Sequence, residues 1–158
     1  MLDAASNEYN HGFFGKWHLG NELVGGASAP NVAGYNWFEG TERNLAPGNY
    51  YNYTKSTNGI LTLETEGYVT TDTIDDAISW INAQTGAWFA MVALHTGHAP
   101  LHVPPSSLQS TASAGETDPK ILYRAMIEAM DTELGRLFGA VDYSDTMVFF
   151  IGDNGSGS

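Results

Sequence analysis

Residues 12–20 read GFFGKWHLG and set a cation, Lys16, and an imidazole, His18, two positions apart after an apolar pair. In an extended segment residues i and i+2 point to the same side, so both groups are expected to face one anionic ligand. Lys16 would act there as a point charge and His18 as a proton handler. Two other segments hold comparable chemistry. Residues 95–105, HTGHAPLHVPP, carry His95, His98 and His102 among three prolines that stiffen the loop. Residues 153–155, Asp-Asn-Gly, pair a carboxylate with an amide oxygen, hard donors that suit Ca²⁺ or Mg²⁺. The histidine spacings match no strong zinc pattern.

Each chemical segment directly follows an apolar run of strand length. Phe13 and Phe14 precede Lys16, residues 88–94 (WFAMVAL) precede His95, and residues 146–151 (TMVFFI) precede Asp153. Runs without alternation predict strands covered on both faces, as in parallel sheets. Between them, Ile74, Ala77, Ile78 and Ile81 make one helical face from about residue 71, with Thr73 and Asp76 at capping-box spacing. Asp118 and Pro119 open a second helix to about Val141. Its expected buried side is Leu122, Met126, Ala129, Leu134, Leu137, Phe138 and Val141. The alternation predicts an α/β fold, a mostly parallel sheet with flanking helices. Ligands of such sheets bind at the carboxyl ends of the strands, where all three segments would meet. Residues 21–67 show little periodicity and read as an irregular surface excursion, with short strands near 50–53 and 60–64.

Bulk properties narrow the partners. The chain has 158 residues, 18 acidic against 6 basic, and a formal net charge of -12. Nucleic acid and anionic membrane need a basic footprint and are excluded as partners. An anionic substrate must be held by strictly local positive charge. Zero cysteines remove disulfides, thiolate metal sites and cysteine nucleophiles. No stretch approaches the length of a membrane span, and the N-terminus carries no signal segment.

The string GKWHLG closely resembles the signature of the sulfatase family, within the alkaline-phosphatase-like superfamily. HTGHAPLHVPP is similar to that family's P-H-x-P-L-x-x-P pattern, with Gly97 in place of the usual proline. Asp153-Asn154-Gly155 resembles its D-N-G element, and Asp131 with Gly135 fits its D-x-x-[VIL]-G helix pattern. The resemblance implies a catalytic domain, here partial over 1–158, that hydrolyses a sulfate ester through a covalent sulfo-enzyme intermediate. It gives Lys16 and His98 sulfate binding, His18 the hydroxyls of a formylglycine, and His98 protonation of the leaving oxygen. Asp153 and Asn154 would bind Ca²⁺. The implied partner is a small sulfate ester or a sulfated glycan, in a periplasmic or secreted setting.

The match has a gap. Formylglycine arises within C/S-x-P-x-R, and no Cys or Ser here completes it; Ser28-Ala29-Pro30-Asn31-Val32 has Val32 at the arginine position. The formylglycine and the family's Asp pair are therefore expected upstream of Met1, the Ca²⁺ site is incomplete, and the chain alone is expected to be inactive. Two alternatives remain. One is a phosphodiesterase or phosphonate hydrolase of the same superfamily. The other is a non-catalytic binding or assembly protein, self-associating through open sheet edges.

Overall fold

The computed structural model describes residues 9–20 and 22–153. The order is β1 (Asn10–Lys16), two 3-10 turns (Glu22–Val24 and Gly26–Ser28), α1 (Ala29–Val32), β2 (Trp37–Thr41), β3 (Tyr53–Thr57), β4 (Ile60–Glu64), α2 (Val69–Asn82), β5 (Trp88–Ala93) and α3 (Pro119–Gly139). The strands form one open sheet ordered β4-β3-β2-β1-β5. β1 is parallel to β2 and β5, while β3 and β4 extend the sheet as an antiparallel hairpin. This is the α/β class expected, with parallel strands at the centre.

The middle of β1 is apolar because it is covered on both faces. Phe14 packs with Ile74, Ala77 and Ile81 of α2 and with Leu134 and Leu137 of α3. Phe13 turns to the opposite face, against Tyr35 and Phe38. Gly15 of β1 pairs with Gly40 of β2. A methyl group at Gly40 would fall on the Gly15 carbonyl, and one at Gly15 would fall on the Ala93 carbonyl. Gly15 also has φ +95°, a backbone region that side chains disfavour.

Both long helices form where the periodicity placed them, with differences at their ends. α2 begins at Val69 with Tyr68 as N-cap and no side-chain cap. Thr73 and Asp76 therefore lie inside the helix and do not form a capping box. The Thr73 hydroxyl donates to the Val69 carbonyl instead (2.8 Å). Asp76 and Asp72 hold Lys55 of β3 at 2.5 Å and 3.1 Å, tying α2 to the hairpin. α3 starts as expected, the Asp118 carboxylate accepting from the Lys120 N–H at 2.8 Å. It ends at Gly139, before Val141. Its buried stripe also contains Glu133, which accepts from Thr71 Oγ1 and Arg136 Nη1, each at 2.6 Å.

Three expectations are corrected. Residues 21–67 hold the strand expected at 60–64 as β4 and one at Tyr53–Thr57 in place of 50–53, and they add β2, which was not expected and lies directly beside β1. β5 is covered on one face only, since Phe89 and Met91 remain 45% and 44% exposed. Residues 146–151 form no strand, and Phe149 and Ile151 are 76% and 79% exposed. An apolar run becomes a strand only by joining a ladder, and among the described residues this one meets no partner strand.

Candidate functional site

Because β1, β2 and β5 are parallel, their carboxyl ends lie along one edge of the sheet. β1 ends at Lys16, β2 at Thr41, and β5 at Ala93 just before His95. Lys16 is in register with Thr41, and the ladder runs two residues further: Trp17 N–H donates to Thr41 O (2.9 Å) and His18 N–H to Glu42 O (3.0 Å). His18 itself has φ +49° and is exposed. Strand alternation thus stops before it, and the i, i+2 rule no longer decides where its ring points. The turn does.

His95 sits behind this edge, 5% exposed. Its Nε2 lies 2.8 Å from Thr41 Oγ1. The single hydroxyl proton of Thr41 is given to Arg43 O (2.8 Å), so the hydroxyl oxygen must accept and His95 carries its proton on Nε2. Burial first, then the nearby charges of Lys16 and His98, lower the His95 pKa to about 3. Lys16 stands at the end of β1 and His98 in the loop after β5, so the two charges act on this imidazole from different elements. His95 stays neutral at ordinary pH and positions its neighbours.

The turn carrying His98 is fixed by a residue that the sequence did not single out. Tyr50 is 1% exposed, and its single hydroxyl proton is shared between His95 O (2.7 Å) and His98 O (2.9 Å). Burial pushes the phenol well above its ordinary pKa, which keeps it a donor. The turn closes with His98 N–H on His95 O (3.0 Å). Between them Gly97 has φ +97°, which the proline of the similar family pattern, locked near −65°, could not adopt. His98 Nδ1 lies 2.9 Å from Ala99 O, and a carbonyl only accepts, so Nδ1 is protonated. Nε2 is then the nitrogen left to exchange a proton.

His102 is placed differently. It packs on Tyr50 at a 4.2 Å ring separation, with Tyr51 and Tyr68 around it. Nδ1 donates to Pro100 O (3.0 Å) and Nε2 accepts from the Tyr68 hydroxyl (3.1 Å). Both nitrogens are occupied, so His102 is a loop clamp.

Positive charge is sparse and unevenly used. Lys55 and Arg136 are bound in ion pairs to aspartates and a glutamate of α2 and α3. Lys16 and Arg43, both at the carboxyl edge, have no ion-pair partner among the described residues. Asp153 is exposed and follows the unpaired 146–151 segment; Asn154 lies outside the described residues. Among the described residues no three of His, Asp and Glu gather closely enough to hold a metal ion. One carboxylate does not meet the six to eight oxygens that Ca²⁺ takes.

Thr41 and Arg43, at and just beyond the end of β2, were missed because β2 was. The available signal was the aromatic pair Trp37–Phe38 ahead of Gly40, a strand-like unit inside an otherwise featureless stretch.

Comparison with known proteins agrees with this architecture. A family model described as Sulfatase matches residues 1–158. Among solved structures, Ps i-CgsB in complex with k-i-k-neocarrahexaose superposes with a TM-score of 0.66 at 21% identity, covering 85% of this chain and 34% of that one. BT4656, solved with its substrate D-glucosamine-2-N,6-O-disulfate, gives 0.52 at 23% identity over 68% of this chain and 20% of that one. A structure described under the metabolism of multiple glycosaminoglycans by Bacteroides thetaiotaomicron gives 0.57 at 12% identity, covering 84% and 36%. The chain thus spans about a third of the length of the first of these. No curated protein matches it.

Proposed function

Since the chain belongs to the sulfatase family, we propose that its carboxyl edge binds the sulfate group of a sulfate ester as part of a sulfuric ester hydrolase. One observation carries this: Lys16, without an ion-pair partner among the described residues of a chain of net charge -12, ends β1 at the same sheet edge from which His95 and His98 follow the parallel β5. Lys16 Nζ would donate to the sulfate oxygens as a charge-assisted donor. His98, with Nδ1–H held by a carbonyl, would pass a proton from Nε2 to the ester oxygen as the S–O bond breaks. His95 and Tyr50 would hold both groups in place. His18, exposed at the next turn, is assigned to the hydroxyls of a formylglycine, the group that supplies the attacking oxygen in this reading. No residue of 1–158 completes the motif that forms it. Asp153 and Asn154 are carried as Ca²⁺ ligands on resemblance alone, and no step here runs through the metal. The substrate favoured is a sulfated glycan, given the sugars bound in the similar structures.

A second reading, non-catalytic association, is favoured by the exposed apolar run Met147 to Ile151 and by the open edges of the sheet at β4 and β5 among the described residues. An aryl sulfate assay separates the two. The 158-residue chain should show no turnover, and a longer chain carrying a matured C/S-x-P-x-R upstream should show it. Enzyme-level turnover by the short chain, abolished by His98→Ala, would reveal a different nucleophile. A longer chain that stays inert would favour association.

A further inference from the structure

The loop that carries His98 rests on three tyrosines. Tyr50 and Tyr51 come from the turn before β3, and Tyr68 from the N-cap of α2. His102 lies among their rings, 4.2 Å from Tyr50, 5.6 Å from Tyr68 and 5.7 Å from Tyr51. Leu101 packs beside it against the buried cluster of Tyr50, Tyr68 and Met126. The Tyr51 hydroxyl fixes the next residue, donating to Val103 O at 2.8 Å. Tyr50 serves both ends of the loop. Its ring carries His102, and its hydroxyl proton lies on the carbonyls of His95 and His98.

His102 fits this seat in one protonation state. A carbonyl only accepts, so the bond to Pro100 O puts the proton on Nδ1, and Nε2 must take the Tyr68 hydroxyl proton. A second proton, on Nε2, would set two donors against each other 3.1 Å apart. Either Tyr68 turns its proton away or the imidazole leaves the Tyr50 ring. Both movements reach the His98 turn. The first runs through the Thr70 hydroxyl, which bonds Tyr68 and lies 3.1 Å from Oγ1 of Thr96, the neighbour of His95. The second runs through Tyr50 itself. The titratable groups that the structure sets against the imidazole are the three phenols, and Glu133 of α3 acts on Tyr68. Burial holds the His102 pKa below the ordinary histidine value, so the ring is neutral at neutral pH and the arrangement is lost as pH falls.

We infer that His102 is a positioning residue: neutral, bonded by Tyr68 and stacked on Tyr50, it holds the His98 turn in its anion-binding arrangement, and a proton on Nε2 releases that turn. The inference rests on the sulfate-ester reading above, and two measurements on the 158-residue chain tell their failures apart. Glutamine places an acceptor where Nε2 stands and does not titrate. His102→Gln should therefore bind inorganic sulfate within about twofold of the parent at about pH 8. At about pH 5 it should bind about three- to tenfold more tightly than the parent, the equivalent of one hydrogen bond that only the parent loses. His98 and His18 are present in both chains, so the comparison cancels their own protonation. His102→Leu keeps bulk without the bonds and should bind sulfate about three- to tenfold more weakly than the parent at about pH 8. The second measurement uses no anion. By NMR, the Gly97 amide should follow the titration of the His102 ring in the parent and lose that component in His102→Gln. Where sulfate binds through Lys16, an affinity ratio of parent to His102→Gln that is constant with pH overturns the inference. So does a His102→Leu affinity equal to the parent's, or a Gly97 amide indifferent to His102. If Gly97 follows His102 while Lys16→Ala leaves sulfate affinity unchanged, the positioning stands and the sulfate-ester reading fails.

Discussion

Replacing Lys16 by alanine should weaken the binding of inorganic sulfate by about 10- to 100-fold, the equivalent of one charge-assisted hydrogen bond of about 1.5–3 kcal/mol. The expectation is large, although Arg43 also lies at this edge, because Lys16 is the cation that ends β1 itself. Eighteen acidic residues repel anions at long range, so the local cation must supply the attraction. Lys16 is half-buried and carries no ion pair among the described residues, so its charge is not already spent internally. The fold should survive, because Lys16 is the last residue of β1 and contributes to its ladder through the backbone. The loss should also ease His95, whose pKa Lys16 helps to hold down, so the His95 ring resonance should titrate at higher pH in the variant. Calorimetry with sulfate and NMR titration of the imidazoles check both. A sulfate affinity unchanged within about twofold would remove Lys16 from the site.

Gly40→Ala should destabilise the protein by about 3 kcal/mol or more, a large share of the roughly 5–15 kcal/mol by which domains are stable. The added methyl would lie on the Gly15 backbone at the register pair between β1 and β2. Backbone, unlike the end of a flexible side chain, cannot turn aside. The two strands would have to separate where Lys16 and Thr41 share the edge, so sulfate affinity should fall with stability. Gly135→Ala is the matched control. It lies on α3 with nothing within 4 Å of the added carbon, and alanine in a helix interior should stabilise by about 0.5–1 kcal/mol. Urea unfolding of the two variants gives the comparison. A Gly40→Ala midpoint equal to that of the parent would show that the strands are not in this register.

The parts of the fold legible in the sequence were those whose signal is burial. Ile74, Ala77 and Ile81 mark α2 because a helix packed on a sheet needs one apolar stripe, and all three are buried. Asp118 and Pro119 mark the start of α3 because cap chemistry is local. β1 is readable for the same reason that it is central. β2 was not, since Gly40 and Thr41 give it neither alternation nor a continuous apolar run; what makes it a strand is the fit of Gly40 against β1. Periodicity was equally blind to Glu133, a carboxylate inside an apolar stripe, because its partners Thr71 and Arg136 lie 62 residues before it and three after. In the site, His98 and Lys16 announce themselves by residue type. Tyr50 does not, since its role lies in two backbone carbonyls that it reaches across 45 and 48 residues. Residues 146–151 show the converse: apolar composition gives a strand its character, and a neighbouring strand must give it its structure.

The most direct test of the account is to locate a bound ester. The 158-residue chain, crystallised with phenyl sulfate, should show the sulfate at the carboxyl edge of β1, its oxygens within hydrogen-bond distance of Lys16 Nζ and its bridging oxygen toward His98 Nε2. Sulfate bound elsewhere, for example at Lys120 or Arg124 of α3, with Lys16 left without a ligand at saturating ester, would contradict it.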